Sequence, residues 1–176
     1  MTLDRLRPLA DRALSPFVTG ARGLGLTPNG VSVLAILVAA AAGASFFFAG
    51  DATLLYPVGG VLVFVNGWLD LLDGALAREL ETDSPGGDLL DHVLDRYADI
   101  FVVVGLAGGV GRYDLGIAAV TGVLMTSYLG TQAQAVGLDR VYGGLLGRAD
   151  RLALVGVVSV LMIALPDPLR GLTLVG

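Results

Sequence analysis

The chain's 176 residues suit one domain, yet 55% are apolar and 15% charged, with mean hydropathy +0.77, where a soluble domain carries about 25% charge. Such a chain cannot cover a globular interior with polar surface; a soluble enzyme, a disordered segment and a collagen-like repeat are excluded, and the composition is that of a membrane protein. There is no Cys, hence no disulfide and no thiolate metal site, and eleven basic residues, all Arg, against sixteen acidic ones give a net charge of −5 and no basic footprint for nucleic acid.

In chain order, the first element is an amphipathic helix over about 2–18. Arg5, Arg7 and Arg12 alternate with Leu3, Leu6, Leu9, Leu14 and Phe17 at roughly helical spacing, which suits a helix lying in the membrane interface. No small-residue cleavage site follows a short apolar core, so the segment is not read as a signal peptide. Thr27-Pro28-Asn29 then opens a helix, Pro28 being suited to its first turn.

Charge-free stretches locate the spans. A crossing helix needs about 20 mostly apolar residues. Uncharged runs of 28 residues after Arg22, 18 after Asp51 and 24 from Leu115 meet this length on their own. A run of 12 from Ile100 does so only if its helix starts near Gly87 and carries Asp88, Asp91, Asp95 and Asp99; a run of 15 from Leu152 does so from about Arg148. The spans are therefore expected near 29–49, 53–80, 86–110, 114–137 and 148–166, within a single membrane domain over 1–176. Residues 167–176 could begin a sixth span but are too few to finish it.

Arginine placement sets the orientation. An inside N-terminus puts Arg5, Arg7, Arg12, Arg22, Arg78, Arg140, Arg148 and Arg151 on the cytoplasmic side and leaves Arg112 and Arg170 outside. The positive-inside rule favours this arrangement. It places Asp70 to Asp95 near the cytoplasmic face of a multi-pass plasma-membrane protein.

Ionisable residues within spans are costly and mark function. Asp70 and Asp73 share a helix face, with Ala77 one turn on; Gly87, Asp91 and Asp95 follow at four-residue steps on another. The short loop between them is expected to make the two helices antiparallel neighbours and bring four carboxylates together. Four like charges in a low dielectric require cations, and oxygen-only ligands select hard ions such as Mg²⁺ or Mn²⁺. Two such ions suit in-line displacement at a pyrophosphate. Gly74 and Ala77 leave room for a nucleotide, and Arg78 can neutralise a phosphate oxygen. A carboxylate-lined ion transporter is the different-class reading, but an ion path does not require Gly-x2-Ala-Arg at this spacing.

The pattern Asp70-x2-Asp73-Gly74-x2-Ala77-Arg78-x8-Gly87-x3-Asp91-x3-Asp95 resembles the complete signature of the CDP-alcohol phosphotransferases, with all eight positions and every gap in agreement. The resemblance implies an all-α integral membrane enzyme of five or six spans. It implies transfer of a phosphatidyl-type group from a CDP-lipid to a polar alcohol, with release of CMP, and a homodimer. It further implies that Asp70, Asp73, Asp91 and Asp95 bind two ions, Mg²⁺ or Mn²⁺, with Asp95 also the general base. Asn29, Ser32, Gly74, Ala77, Arg78, Ser84 and Gly87 would line the CDP-lipid site. Gly105, Gly108, Gly109 and Gly111 would permit close helix contact in the homodimer.

Ser127-Tyr128 and Gly147-Arg148-Ala149-Asp150-Arg151-Leu152 resemble members that use inositol phosphate, in which the two arginines hold the acceptor phosphate. Gly130 and Gln132 stand where those members carry Lys and Arg. Inositol phosphate is the first choice of acceptor, with glycerol phosphate and serine as alternatives. An acidic, lysine-free chain fits a salt-adapted source as well as a GC-rich genome, so the donor is CDP-archaeol or CDP-diacylglycerol.

Overall fold

The computed structural model describes residues 7–82, 84–138 and 147–164, with side chains from residue 13 onward. Among these residues there are six α-helices, a short 3₁₀ turn and no strand. The helices are α1 (Arg7–Gly23), α2 (Pro28–Phe48), α3 (Leu55–Glu79), α4 (Pro85–Val110), α5 (Tyr113–Ala135) and α6 (Arg148–Leu161), the last followed by the 3₁₀ turn Met162–Ala164. Expectations that fall on Leu3, Arg5, Leu6, Arg140, residues 165–166 and the 167–176 segment lie outside the described residues.

At about 1.5 Å per residue, α2 to α5 are each about 32–39 Å long. Two of the described helices, α2 and α3, are both long and apolar enough to cross a membrane. Their outward faces carry exposed Leu34, Leu37, Phe48, Val58 and Val61. A water-facing surface would not accumulate such side chains on two adjacent helices.

The first helix continues five residues past its expected end. Gly25 adopts φ 70°, where a Cβ would be strained. The Gly25 amide donates to the Arg22 carbonyl and the Leu26 amide to that of Ala21, closing the helix end in a Schellman arrangement. The apolar face of α1 buries Leu14, Val18 and Ala21 against Val31 of α2 and Leu72 and Leu76 of α3. Phe17 meets Trp68 edge-on at 5.3 Å. Thus α1 is fastened to the end of the bundle that carries Asp70 and Asp73.

The centre of the fold is α2, which packs against both α3 and α4. Its approach to α4 is close because both helices present small residues. A Cβ on Gly105 would lie 2.2 Å from the Gly43 carbonyl oxygen, and one on Gly43 would lie 2.4 Å from that of Phe101. Gly109 meets the Phe46 backbone, Gly108 meets the Phe47 ring, and Gly111 caps α4 with φ 70°. The close helix contact expected of these glycines is present at Gly105, Gly108 and Gly109, where it is made within one chain, on α2, while Gly111 ends the helix. Phe46, Tyr56, Val63, Val102 and Leu152 form the main buried cluster beside this contact. Asn66 Nδ2 donates to the Ala35 carbonyl at 2.9 Å and ties α3 to α2. The last helix, α6, packs on α3, where Gly156 meets Gly60 and the Phe64 ring.

Candidate active site

Two of the three helices that line the main cavity, α2 and α4, have starts set by their own sequence. Thr27 caps α2, its hydroxyl oxygen accepting from the Gly30 amide at 3.2 Å, with Pro28 in the first turn. Asn29 and Ser32 follow within that turn and the next. Ser84 caps α4 in the same way, accepting from the Gly87 amide at 3.1 Å ahead of Pro85. The Gly147 amide donates to the Asp150 carboxylate at 3.1 Å at the start of α6, which sets Arg148 and Arg151 three residues apart on one face.

The expectation that α3 and α4 pack side by side needs correction. Both pack on α2 instead, and the space left between them at the Asp70 end is the site. Asp70, Asp91 and Asp95 each place a carboxylate oxygen within 4.8 Å of the other two. Asp73 faces α2, where the Ser32 hydroxyl donates to its Oδ2 at 2.6 Å and lies 3.1 Å from the Pro28 carbonyl. Three of the four carboxylates therefore converge, while Asp73 stands apart from them and is oriented by a serine.

Arginine enters the same cluster. Arg148 places Nη1 2.9 Å from Asp70 Oδ2, Nη2 2.8 Å from Asp95 Oδ1 and Nε 3.7 Å from Asp99 Oδ1. Arg151 lies 3.5 Å from Asp99 Oδ2, and Arg96 3.7 Å from the same oxygen. Arg96 also pairs with Asp95 at 3.5 Å and donates to the Ser127 hydroxyl. A forked guanidinium on two carboxylates is a strong charge-assisted contact. The arginine expected to hold an acceptor phosphate thus sits on the carboxylates themselves.

A cavity of about 410 Å³ opens beside the carboxylates. Asn29, Ser32, Gly74, Ala77, Arg78, Ser84 and Gly87 line it, together with Asp70, Asp73 and Asp91. Asp95 and Arg148 border a smaller space behind it, next to Asn66. Sequence reasoning missed Thr27, Leu80 and Thr82 as further lining residues. Thr27 was visible as a helix cap; Leu80 and Thr82 follow α3 in a turn where Glu81 takes φ 51°, a conformation no sequence signal announced.

The donor set fits a divalent cation. Three carboxylate oxygens converge on a space of ionic size, with no His or Cys among them, which is the ligand chemistry of Mg²⁺ or Mn²⁺. The guanidinium lying across two of these carboxylates shows independently that the cluster attracts positive charge.

Comparison with known proteins agrees with this arrangement. The family description CDP-alcohol phosphatidyltransferase matches residues 25–175. An archaetidylinositol phosphate synthase of Pyrococcus horikoshii is 29% identical over 90% of this chain and 82% of its own length. A phosphatidylinositol phosphate synthase of Mycobacterium marinum is 34% identical over 90% of this chain and 70% of its own. Among solved structures, Mycobacterium tuberculosis phosphatidylinositol phosphate synthase in complex with manganese and citrate superposes with a TM-score of 0.76, at 27% identity, over 92% of this chain and 80% of that one. The same enzyme with CDP-DAG bound gives 0.75, at 28% identity, over 93% of this chain and 85% of that one. A complete eight-residue signature, a helical bundle that gathers its aspartates, and a family match over most of the sequence lead to one conclusion: this chain is a transferase of the CDP-alcohol phosphatidyltransferase family.

Proposed function

We propose that the protein transfers the phosphatidyl or archaetidyl group of CDP-diacylglycerol or CDP-archaeol to a polar alcohol, with inositol phosphate the first choice, and releases CMP. The observation that carries this reading is the cavity of about 410 Å³ shared by the CDP-signature residues and three of the aspartates. The acceptor oxygen attacks the lipid-side phosphorus, the bond from that phosphorus to the CMP oxygen breaks, and the acceptor's proton passes to Asp95. Gly74, Ala77 and Gly87 let the nucleotide approach the backbone, while Asn29, Ser32, Arg78 and Ser84 supply polar contacts. Asp70, Asp73, Asp91 and Asp95 would hold Mg²⁺ or Mn²⁺, two ions, which supply charge stabilisation at the pyrophosphate.

The relatives' names favour inositol phosphate, and Arg148 and Arg151 stand on the Asp95 side of the cluster for its phosphate. Gly130 and Gln132 keep glycerol phosphate and serine as alternatives with the same chemistry. The proposed setting is a single multi-pass domain in the plasma membrane, with five or six spans, α1 in the interface, N-terminus and site on the cytoplasmic side, and two copies forming a homodimer.

The test is CMP release by purified protein with CDP-archaeol or CDP-diacylglycerol and Mg²⁺, with inositol phosphate, glycerol phosphate, serine or no acceptor, each repeated with EDTA. Release with one acceptor alone, abolished by EDTA, is the expected result. Ion flux in liposomes without CMP formation under any condition would replace this reading with a transporter.

A further inference from the structure

Asp99 lies one turn beyond Asp95 on α4, continuing the face that carries Asp91 and Asp95. It is outside the eight-residue signature and outside the three carboxylates that share a cation-sized space. It is nonetheless 4% exposed, and three guanidinium groups converge on it. Arg148 Nε faces Oδ1 at 3.7 Å, while Arg151 and Arg96 face Oδ2 at 3.5 and 3.7 Å. A buried carboxylate so surrounded is a fixed electrostatic seat, because a buried charge without partners would be strongly disfavoured.

The seat has a direction. The helix carrying Arg148 and Arg151 packs on α3, and these two side chains reach across the site to α4 through Asp95 and Asp99. Arg148 uses its Nε side toward Asp99 and its forked Nη1 and Nη2 toward Asp70 and Asp95. Arg148 Nε has no hydrogen-bond partner and faces Asp99 at ion-pair distance, so the attraction to Asp99 does not depend on Nη1 and Nη2 and would remain if a cation or an incoming anion loosened them. The arginine then keeps its position beside Asp95 with two nitrogens free to donate, and Arg151 is held next to it by the same carboxylate.

We infer that Asp99 is a positioning residue that seats Arg148 and Arg151 beside Asp95, so that together they recognise an acceptor carrying a phosphate group. This rests on the transferase reading for the reaction, but the positioning role concerns anion binding and is measurable without turnover.

The experiment compares wild type, Asp99→Asn and Asp99→Glu in detergent with Mn²⁺. Acceptor KM and kcat are measured with inositol phosphate, CDP-lipid binding is measured separately, and inorganic phosphate is titrated calorimetrically as the anion probe. Asp99→Asn is expected to raise acceptor KM and weaken phosphate binding by about tenfold, with a smaller change in kcat and unchanged CDP-lipid and Mn²⁺ binding. Asp99→Glu, which restores the charge one methylene away, recovers part of both losses. Unchanged acceptor KM and phosphate affinity in Asp99→Asn would overturn the inference, as would an equal loss of CDP-lipid and Mn²⁺ binding. If Asp99→Asn does not fold, Asp99→Glu decides alone: shifted phosphate affinity supports the seat and unshifted affinity removes it. Wild-type turnover with serine only, without phosphate binding, overturns the inference and leaves the transferase intact. No turnover, but phosphate binding that falls in Asp99→Asn, keeps the seat and rejects the transferase reading.

Discussion

The guanidinium of Arg148 lies 2.8 Å from the carboxylate of Asp95 and reaches Asp70 at 2.9 Å with its other terminal nitrogen. Arg148 is 16% exposed at its side chain, so these contacts are made with little screening by water. The same two carboxylates belong to the group able to hold a cation. Arginine and cation therefore draw on the same charge.

Arg148→Gln is accordingly expected to raise affinity for Mn²⁺, on the order of tenfold or ~1.4 kcal/mol. It removes a competing positive charge, leaving Asp70 without its guanidinium and Asp95 with Arg96 alone, and both effects favour the ion. Folding stability should fall, because breaking a partly buried pair exposes uncompensated like charges. Mn²⁺ titration followed by electron paramagnetic resonance reads the first effect and thermal melting with EDTA the second. Weaker Mn²⁺ binding in the variant would mean that the arginine supports the ion site rather than competing for it.

A second prediction concerns Ser32 on α2 and Asp73 on α3, joined at 2.6 Å. Both are buried, so Ser32→Ala leaves a carboxylate oxygen without its donor. Hydrogen bonds to charged groups contribute about 1.5–3 kcal/mol. The variant should lose roughly tenfold or more in CDP-lipid and Mn²⁺ affinity together, whereas Ser32→Thr, which keeps the hydroxyl, should retain most of both. Loss of CDP-lipid binding with unaltered Mn²⁺ affinity would show that Ser32 acts on the lipid directly and not through Asp73.

Much of this site was legible in the sequence because helical spacing is rigid. Asp70 and Asp73, or Asp91 and Asp95, have one way to share a helix face, and Thr27-Pro28 and Ser84-Pro85 announce helix starts by local chemistry. What the sequence did not reveal depends on which helices touch. The packing of α3 and α4 on α2 rather than on each other, and the use of Gly105 and Gly109 against α2, follow from long-range packing, since a small-residue stripe fits a partner in the same chain as well as one in another. Arg148 illustrates the same limit. Its motif indicated a phosphate ligand, but its position among Asp70, Asp95 and Asp99 depends on how α6 rests against α3.

That packing gives a stability prediction. A Cβ at Gly105 would lie 2.2 Å from the Gly43 carbonyl oxygen and 2.7 Å from its Cα. Backbone on both sides leaves no flexible side chain to move aside. Gly105→Ala should therefore force α2 and α4 apart and destabilise by about 1–3 kcal/mol, the usual cost of overpacking. Gly122→Ala on α5, where a Cβ meets nothing within 4 Å, serves as the neutral comparison. Thermal melting in detergent should lower the midpoint for the first variant and leave it unchanged for the second. Equal midpoints would indicate that the helices can separate locally without cost.

Asp95 carries the last prediction. It shares a cation-sized space with Asp70 and Asp91, yet it is also paired with Arg148 of α6 and with Arg96, which donates to Ser127 on α5. On the proposed reading, in which Arg148 and Arg151 hold the acceptor phosphate, it is therefore the signature aspartate on the acceptor side, where a hydroxyl proton has to be taken up. Asp95→Asn preserves the shape and can still accept from Arg148, but it cannot take that proton. Turnover should fall by about 10²–10⁴-fold, the usual contribution of a positioned base. CDP-lipid binding should persist, because the cavity proposed for the nucleotide is lined by other residues. Mn²⁺ binding, to which Asp70, Asp73 and Asp91 also contribute on the proposed reading, should weaken but not vanish, since Asp70 and Asp91 remain of the three converging carboxylates. CMP release by the variant at near wild-type rates would remove Asp95 as the base; loss of CDP-lipid binding alongside turnover would instead assign it to holding the donor.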